Sequence, residues 1–219
     1  MIKIAPSVLA APMMKFGESI AMLNSNDVDY LHLDVMDGHF VPQISFGEEM
    51  CAAFGNASKI PLDIHLMVEN PEREVPKYFE IKPEFLTFHY EATSFPIRLS
   101  QTIRNQGIKS GIALNPLTPI GNLAELFPYF DLFLIMSIEP GYYGQKFLDT
   151  TWYRLAQLAD LRSQLSKKFN HYPVIEVDGG VNDKNIKLLA DAGVDIAVAG
   201  SFVFKSEQPN EQVRLLKNK

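Results

Sequence analysis

Eight short apolar runs, rich in β-branched and aromatic residues and separated by segments long enough for a helix, constrain this chain more than any other feature. They fall near residues 2–6, 29–34, 62–66, 85–89, 109–114, 131–136, 173–178 and 195–199. The intervening segments include Lys15 to Ser25, Phe95 to Gln106, Thr151 to Lys168 and Asp183 to Ala192. Repeated alternation of strand and helix implies right-handed crossovers and a parallel sheet. Eight such units fit closure into an α/β fold of the (β/α)8 TIM barrel type better than an open sheet. The runs are continuous rather than alternating, as in Leu132-Phe133-Leu134-Ile135-Met136, which suits a sheet buried on both faces. Asn70-Pro71-Glu72 and Thr118-Pro119 each offer a side-chain cap followed by proline at a first helical position, and Gly107 and Gly193 fall where the fourth and seventh helices should stop. No Pro/Gly/Ser-rich tract divides the chain, so residues 1–219 read as one barrel domain.

Composition narrows what such a barrel can do. With 20 Lys+Arg against 26 Asp+Glu, the net charge is −6, a surface that repels phosphate backbones and argues against nucleic acid as a partner. Apolar residues make up 47% and charged residues 21%, ordinary globular usage and not the signature of disorder. The single cysteine, Cys51, has no internal disulfide partner and reads as a small buried hydrophobe in the second helix; Trp152 likewise reads as packing. The opening Met-Ile-Lys-Ile-Ala-Pro lacks the pattern of a secretory leader, and no window approaches the roughly 18 apolar residues of a membrane span. A cytoplasmic location and no membrane partner are expected.

Barrels of this type build their sites where strands end and βα loops begin. Those places are polar here: Ser7 after the first run, His32-Leu33-Asp34 ending the second, His65 the third, His89 the fourth, Asn115 the fifth and Asp178-Gly179-Gly180 the seventh. His32 and Asp34 are two apart, so strand alternation sends both to one face while Leu31 and Leu33 take the other. If the second, third and seventh strands converge, His32, Asp34, His65 and Asp178 form a set of two imidazoles and two carboxylates that suits Zn²⁺, Fe²⁺, Mn²⁺ or Co²⁺. Burying that set without pairing or a metal would be expensive. His89 alone reads as a hydrogen-bonded core residue.

A second constellation is built on glycine. Pro140-Gly141-Tyr142-Tyr143-Gly144-Gln145 follows the sixth run, Gly179-Gly180 the seventh and Gly200-Ser201 the eighth. Three consecutive loops on one rim, able to bring backbone N–H groups close to a ligand, read as a phosphate cradle that needs no arginine. Met36, Met67 and Met136 also fall near strand ends, either as core filling or as an adaptable apolar lining.

These segments resemble the ribulose-phosphate 3-epimerase family. Ala5-Pro6-Ser7, His32-Leu33-Asp34-Val35-Met36-Asp37-Gly38-His39-Phe40-Val41-Pro42, Asp63-Ile64-His65-Leu66-Met67 and Glu176-Val177-Asp178-Gly179-Gly180 carry the likeness, which runs from Ile4 to about Phe204. The resemblance implies a barrel of the ribulose-phosphate-binding type that interconverts D-ribulose 5-phosphate and D-xylulose 5-phosphate in the pentose phosphate pathway. It implies one divalent metal ion on His32, Asp34, His65 and Asp178, with Asp34 and Asp178 as the acid/base pair and Ser7 and His65 touching substrate. It further implies a phosphate held by Gly141, Tyr142, Tyr143, Gly144, Gly179, Gly180, Gly200 and Ser201, and a homo-oligomer. The family's loop after the sixth strand reads Asn-Pro-Gly-Phe-Gly-Gly-Gln, whereas this chain has Glu139 at its start and Tyr143 in place of a glycine. Tyrosine disfavours positive φ and adds bulk, and Glu139 brings negative charge toward an anion. That difference keeps two other readings in view: a ketohexose-6-phosphate 3-epimerase of the allulose-phosphate kind, and a sugar-phosphate-binding barrel without catalysis.

Overall fold

The computed structural model describes residues 2–218. Strands β1 (Lys3–Pro6), β2 (Leu31–Met36), β3 (Leu62–Met67), β4 (Phe85–His89), β5 (Lys109–Leu114), β6 (Leu132–Met136), β7 (Val174–Asp178) and β8 (Ile196–Ala199) form one parallel sheet. Its order, β1-β8-β7-β6-β5-β4-β3-β2, follows the chain around a ring. The ring closes where Ser7 bridges His32 and where the N–H groups of Asp29 and Tyr30 donate to the Ile4 carbonyl at 3.1 and 3.4 Å. This is the expected (β/α)8 barrel. Helices α1 (Phe16–Asn24), α2 (Glu48–Ala57), α3 (Pro71–Glu74), α4 (Pro96–Arg104), α5 (Thr150–Phe169), α6 (Ile186–Asp191), α7 (Ser201–Phe204) and α8 (Pro209–Lys217) complete the outer layer.

Two features differ from the sequence expectation. β2 was expected to end at Asp34 but runs on to Met36, because Val35 and Met36 pair with Leu66 and Met67. His32 and Asp34 do not interrupt the strand, since alternation turns both into the barrel interior where polar partners meet them. The second difference lies between β5 and β6, where no α-helix forms. The segment makes two 3₁₀ turns, Ile120–Leu123 and Phe127–Tyr129, and Thr118 caps no helix; its hydroxyl donates to Glu91 instead. Pro116, Pro119 and Pro128 remove three N–H donors from this short stretch, leaving too few for a continuous helical ladder. The other punctuation behaves as expected. Asn70 accepts from the Arg73 N–H at 3.3 Å with Pro71 in the first turn, and Gly107 and Gly193 take φ of +76° and +85° beyond α4 and α6.

Alternation along each strand sorts the side chains into two populations. Leu31, Leu33, Val35, Ile64, Leu66, Leu86, Phe88, Ile112, Phe133, Ile135, Ile175 and Val177 face outward into the large core shared with the helices, together with buried Cys51. Trp152 packs against the same core and meets the Phe147 ring at 5.0 Å between centroids. Inside the barrel, one sector is apolar: Phe85, Ala113, Leu132, Leu134, Met136, Ile196 and Val198. Other inward positions carry His32, Asp34, Asp63, His65, Thr87, His89 and Glu176, all buried. An interior this polar on β2, β3, β4 and β7 must be internally paired, or it destabilises the fold.

Candidate active site at the mouth of the barrel

The polar interior rises to a pocket at the C-terminal ends of the strands. Ser7, Asp34 and Asp178 line it beside Met36, Met67 and Met136, so the three methionines form an apolar wall around the carboxylates. The register sets the chemistry in place: Asp34 on β2 lies opposite His65 on β3. Asp34 Oδ1 sits 3.3 Å from His65 Nδ1 and 3.3 Å from His32 Nε2, while its Oδ2 accepts the Ser7 hydroxyl at 2.5 Å. Asp178 reaches over from β7, its Oδ2 at 4.0 Å from His65 Nδ1. One ligand atom from each of His32, Asp34, His65 and Asp178 falls within 4.8 Å of the others, so the four residues expected to converge do so.

These donors fit a divalent metal. His32 Nε2 is buried and, though near Asp34, is out of hydrogen-bonding alignment and has no partner. A buried nitrogen left without a partner, aimed at two carboxylates and a second imidazole, is what a mixed N/O cation site requires.

Burial and neighbouring charge drive the two carboxylates apart. Burial by itself would raise Asp34, but the charge of His32 outweighs it and holds the group well below the usual carboxylate range. Asp178 goes the other way, pushed up to about 7 by burial and by the charge of Asp34. Burial lowers His65 to about 4, so it stays neutral. For His32 burial disfavours the charged ring, yet Asp63 and Asp34 prevail and raise it.

Beneath the set lies a layer that the sequence reading passed over. Asp63 Oδ2 faces His32 Nδ1 at 2.6 Å, and Glu176 Oε1 stands 3.8 Å from the same nitrogen, all three residues fully buried. Burial, reinforced by the nearby Asp63 charge, pushes Glu176 well above its ordinary range, so it is kept neutral. The signal was present in the period of two: Asp63 precedes His65 by two residues and Glu176 precedes Asp178 by two, placing each on its neighbour's face.

The opposite wall is made of backbone. Pro140, Gly141, Tyr142, Tyr143, Gly144, Gly179, Gly180, Gly200 and Ser201 also line the pocket, which brings the three glycine loops together. Among the described residues the N–H groups of Gly141, Gly144 and Gly180 donate to no protein acceptor. Gly180 has φ of +63°, and a Cβ there would stand 2.7 Å from the Phe147 nitrogen; at Gly179, with φ of +114°, it would stand 2.5 Å from Ile138. Ser137 fixes this turn by donating to the carbonyls of Asp178 and Gly179 at 2.7 and 2.6 Å.

The unusual loop residues prove compatible with the cradle. Tyr143 is not among the residues with left-handed backbone, and Gly144 takes φ of +82° beside it. Its ring is half exposed and carries the Lys205 ammonium 5.1 Å from its centroid. Glu139 is exposed and stands outside the pocket lining. Asn115 also lies away from the pocket, its carbonyl accepting from Arg154 at 2.8 Å.

The sequence model of the Ribulose-phosphate 3 epimerase family matches residues 3–204. A ribulose-phosphate 3-epimerase from Helicobacter pylori is 40% identical over 216 residues, covering 99% of this chain and 97% of that protein. One from Bacillus subtilis is 39% identical over 204 residues, 93% of each. Among solved structures, KGPDC from Streptococcus mutans aligns with a TM-score of 0.72 at 11% identity, covering 100% of this chain and 96% of its own. Orotidine 5'-phosphate decarboxylase from Pyrococcus horikoshii aligns with a TM-score of 0.67 at 13% identity, covering 100% and 98%. At such identities these two structures speak for the barrel alone. Among the described residues no helix is long and apolar enough to cross a membrane.

Proposed function

We propose what this pocket does from one premise: the chain belongs to the ribulose-phosphate 3-epimerase family. It is an isomerase that inverts C3 of D-ribulose 5-phosphate to give D-xylulose 5-phosphate, and the reverse. The observation that carries this reading is the pair of carboxylates in one pocket, Asp34 held ionised and Asp178 raised to about 7. Inversion next to a ketone needs a base on one face of a flat enediolate and an acid on the other. Two carboxyl groups whose environments separate their proton affinities can fill those roles and exchange them with direction.

His32, Asp34, His65 and Asp178 would hold one divalent ion, Zn²⁺, Fe²⁺, Mn²⁺ or Co²⁺. When bound, such an ion supplies Lewis-acid stabilisation of the negative charge that develops on the substrate oxygens. The chain's own residues do the rest. Asp34 takes or returns a proton at C3 from one side and Asp178 from the other. Ser7, bonded to Asp34, fixes the orientation of that carboxylate and reaches the substrate beside His65. Met36, Met67 and Met136 exclude water from the flat intermediate. The phosphate sits against the N–H groups of Gly141, Tyr142, Tyr143, Gly144, Gly179, Gly180, Gly200 and Ser201, which is how a chain of net charge −6 accommodates an anion.

We take residues 1–219 as one catalytic barrel, acting in the cytoplasm as a homo-oligomer on a free sugar phosphate and not on nucleic acid. Incubation with ribulose 5-phosphate in D₂O in the presence of a divalent metal should place deuterium at C3 of substrate and product. Absence of exchange would sink the epimerase reading. Running the allulose 6-phosphate reaction in parallel should show the five-carbon substrate favoured; the reverse preference would reassign the substrate to the six-carbon class.

A further inference from the structure

His89 and Glu91 lie behind the metal-ligating set, and nothing in the reaction as derived uses them. His89 ends β4, is fully buried, and touches His65 with Nε2 to Nε2 at 2.8 Å. The two ring centroids are 4.9 Å apart and the planes 25° apart. With the nitrogens so much closer than the centroids and the planes nearly parallel, the rings meet edge to edge, the arrangement of an N–H···N hydrogen bond. Only one of the two nitrogens can carry the proton. His89 Nδ1 in turn faces Glu91 Oε2 at 3.3 Å.

Glu91 decides which nitrogen that is. Its Oε1 accepts the Asn115 backbone N–H at 2.8 Å and the Thr118 hydroxyl. Burial alone would raise this group, but hydrogen bonds from His89, Thr118 and Asn115 outweigh it and keep it a carboxylate. A carboxylate accepts only, so His89 Nδ1 must carry a hydrogen, and neutral His89 then presents a bare lone pair at Nε2. His65 Nε2 must therefore be the donor of the shared bond, which strips the proton from His65 Nδ1, the nitrogen that faces Asp34 and Asp178. In the opposite tautomer His65 Nδ1–H would gain a 3.3 Å bond to Asp34, but His89 Nδ1 and Glu91 would then face each other as two acceptors.

We propose that Glu91 and His89 are positioning residues that fix the tautomer of His65 through two hydrogen bonds, so that its Nδ1 lone pair is presented to the divalent metal. This deepens the metal-dependent reading above and rests on it. The arrangement mirrors the other ligand, where Asp63 accepts from His32 Nδ1 and Nε2 has no hydrogen-bond partner; both imidazoles are set from behind by a carboxylate, directly in one case and through a second histidine in the other.

The isosteric change Glu91→Gln tests the relay. Asn115 and Thr118 both donate to Oε1 and will hold the amide oxygen there, so the amide nitrogen takes the place of Oε2 and donates to His89 Nδ1. The direction of both hydrogen bonds then reverses and His65 carries its proton on Nδ1. Nitrogen-15 NMR of the histidine rings in metal-free protein should show the Nε2–H tautomer of His65 in the natural chain and the Nδ1–H tautomer in Glu91→Gln. Titration with Co²⁺ should show affinity reduced roughly 10–100-fold in the variant, with weaker visible absorption at equal metal. Glu91→Asp, which keeps an acceptor, should restore most of the affinity. His65 found with Nδ1 protonated in the natural chain, or Glu91→Gln leaving the tautomer unchanged, overturns the proposal even if metal binding weakens. A natural chain that binds no Co²⁺ overturns the metal reading beneath it. A natural chain with the expected tautomer and Co²⁺ affinity but no turnover of ribulose 5-phosphate leaves the relay standing and removes only the substrate.

Discussion

The two sides of this pocket are made of different materials. On β2, β3, β4 and β7 the proposed chemistry is carried by side chains, three of them held by a neighbouring side chain: Asp34 by Ser7, His32 by Asp63, His65 by His89. On the loops after β6, β7 and β8 the proposed phosphate cradle is built from backbone, with glycine where a Cβ would meet its neighbours most closely. The difference follows the ligand. Proton transfer and metal ligation need groups whose charge and tautomer can be set by their surroundings, and a buried network sets them. A phosphate needs only several donors converging at short range, and glycine lets the backbone supply them without bringing cationic side chains into the pocket.

If the sides are independent in this way, changes on each should separate cleanly. The largest effect is expected at Asp178. Replacing it with Asn should lower turnover by about 10²–10⁴-fold, as for the loss of a general acid/base group, with the far-ultraviolet circular dichroism unchanged. Near-normal turnover would remove Asp178 from the acid/base pair.

The next effect is in metal affinity. Asp63→Asn should weaken divalent-metal binding roughly 10–100-fold by isothermal titration while leaving the affinity for inorganic phosphate unaltered. A parallel loss of phosphate binding would show that the two sides are coupled. The pH dependence of the same titration follows from Asp178. Its carboxyl titrates near 7 and must lose its proton to bind a cation, so affinity should rise from about pH 6 to about pH 8 with proton release. The sign is fixed by the raised value: the metal-free fold holds this proton below about 7, and the metal has to displace it. An affinity independent of pH over that range would mean that Asp178 is not a ligand.

On the backbone side, Gly180→Ala should lower the unfolding free energy by about 1–3 kcal/mol, because the new Cβ meets the backbone of Phe147, which cannot rotate away. Its KM for the sugar phosphate should rise while the metal affinity holds. The smallest effect is at Lys205, whose ammonium rests over Tyr143 and 3.1 Å from where a Cβ on Gly144 would stand. Lys205→Met should raise KM about two- to fivefold at low salt, with kcat unchanged and the effect fading at high salt. A change in kcat would mean that the lysine does more than attract the anion from outside the pocket.

Much of this molecule was legible in its sequence, and the parts that were share a cause. The eight runs fixed the barrel because a strand declares itself over four to six consecutive residues. His32 and Asp34 announced an inward polar face because alternation is strictly local. Gly179-Gly180 announced a tight turn because positive φ is a property of single residues. Where a local rule met a competing one, the reading slipped. The polar pair in β2 looked like a strand end, and Thr118-Pro119 looked like a cap, although the prolines around it leave no helix to cap.

What the sequence alone determined was the order of the strands and which residues point inward from each. Which of those inward residues meet depends on closure of the barrel. Closure of the ring brings β2 and β3 into a register that sets Asp34 against His65, and carries β7 across the interior to add Asp178 above and Glu176 below. It also sets His89 edge to edge with His65 and places Glu91 between Asn115 and Thr118. Proton positions depend on such meetings, because a donor or acceptor role is settled by the partner across the gap and not by the residue's own neighbours in the chain.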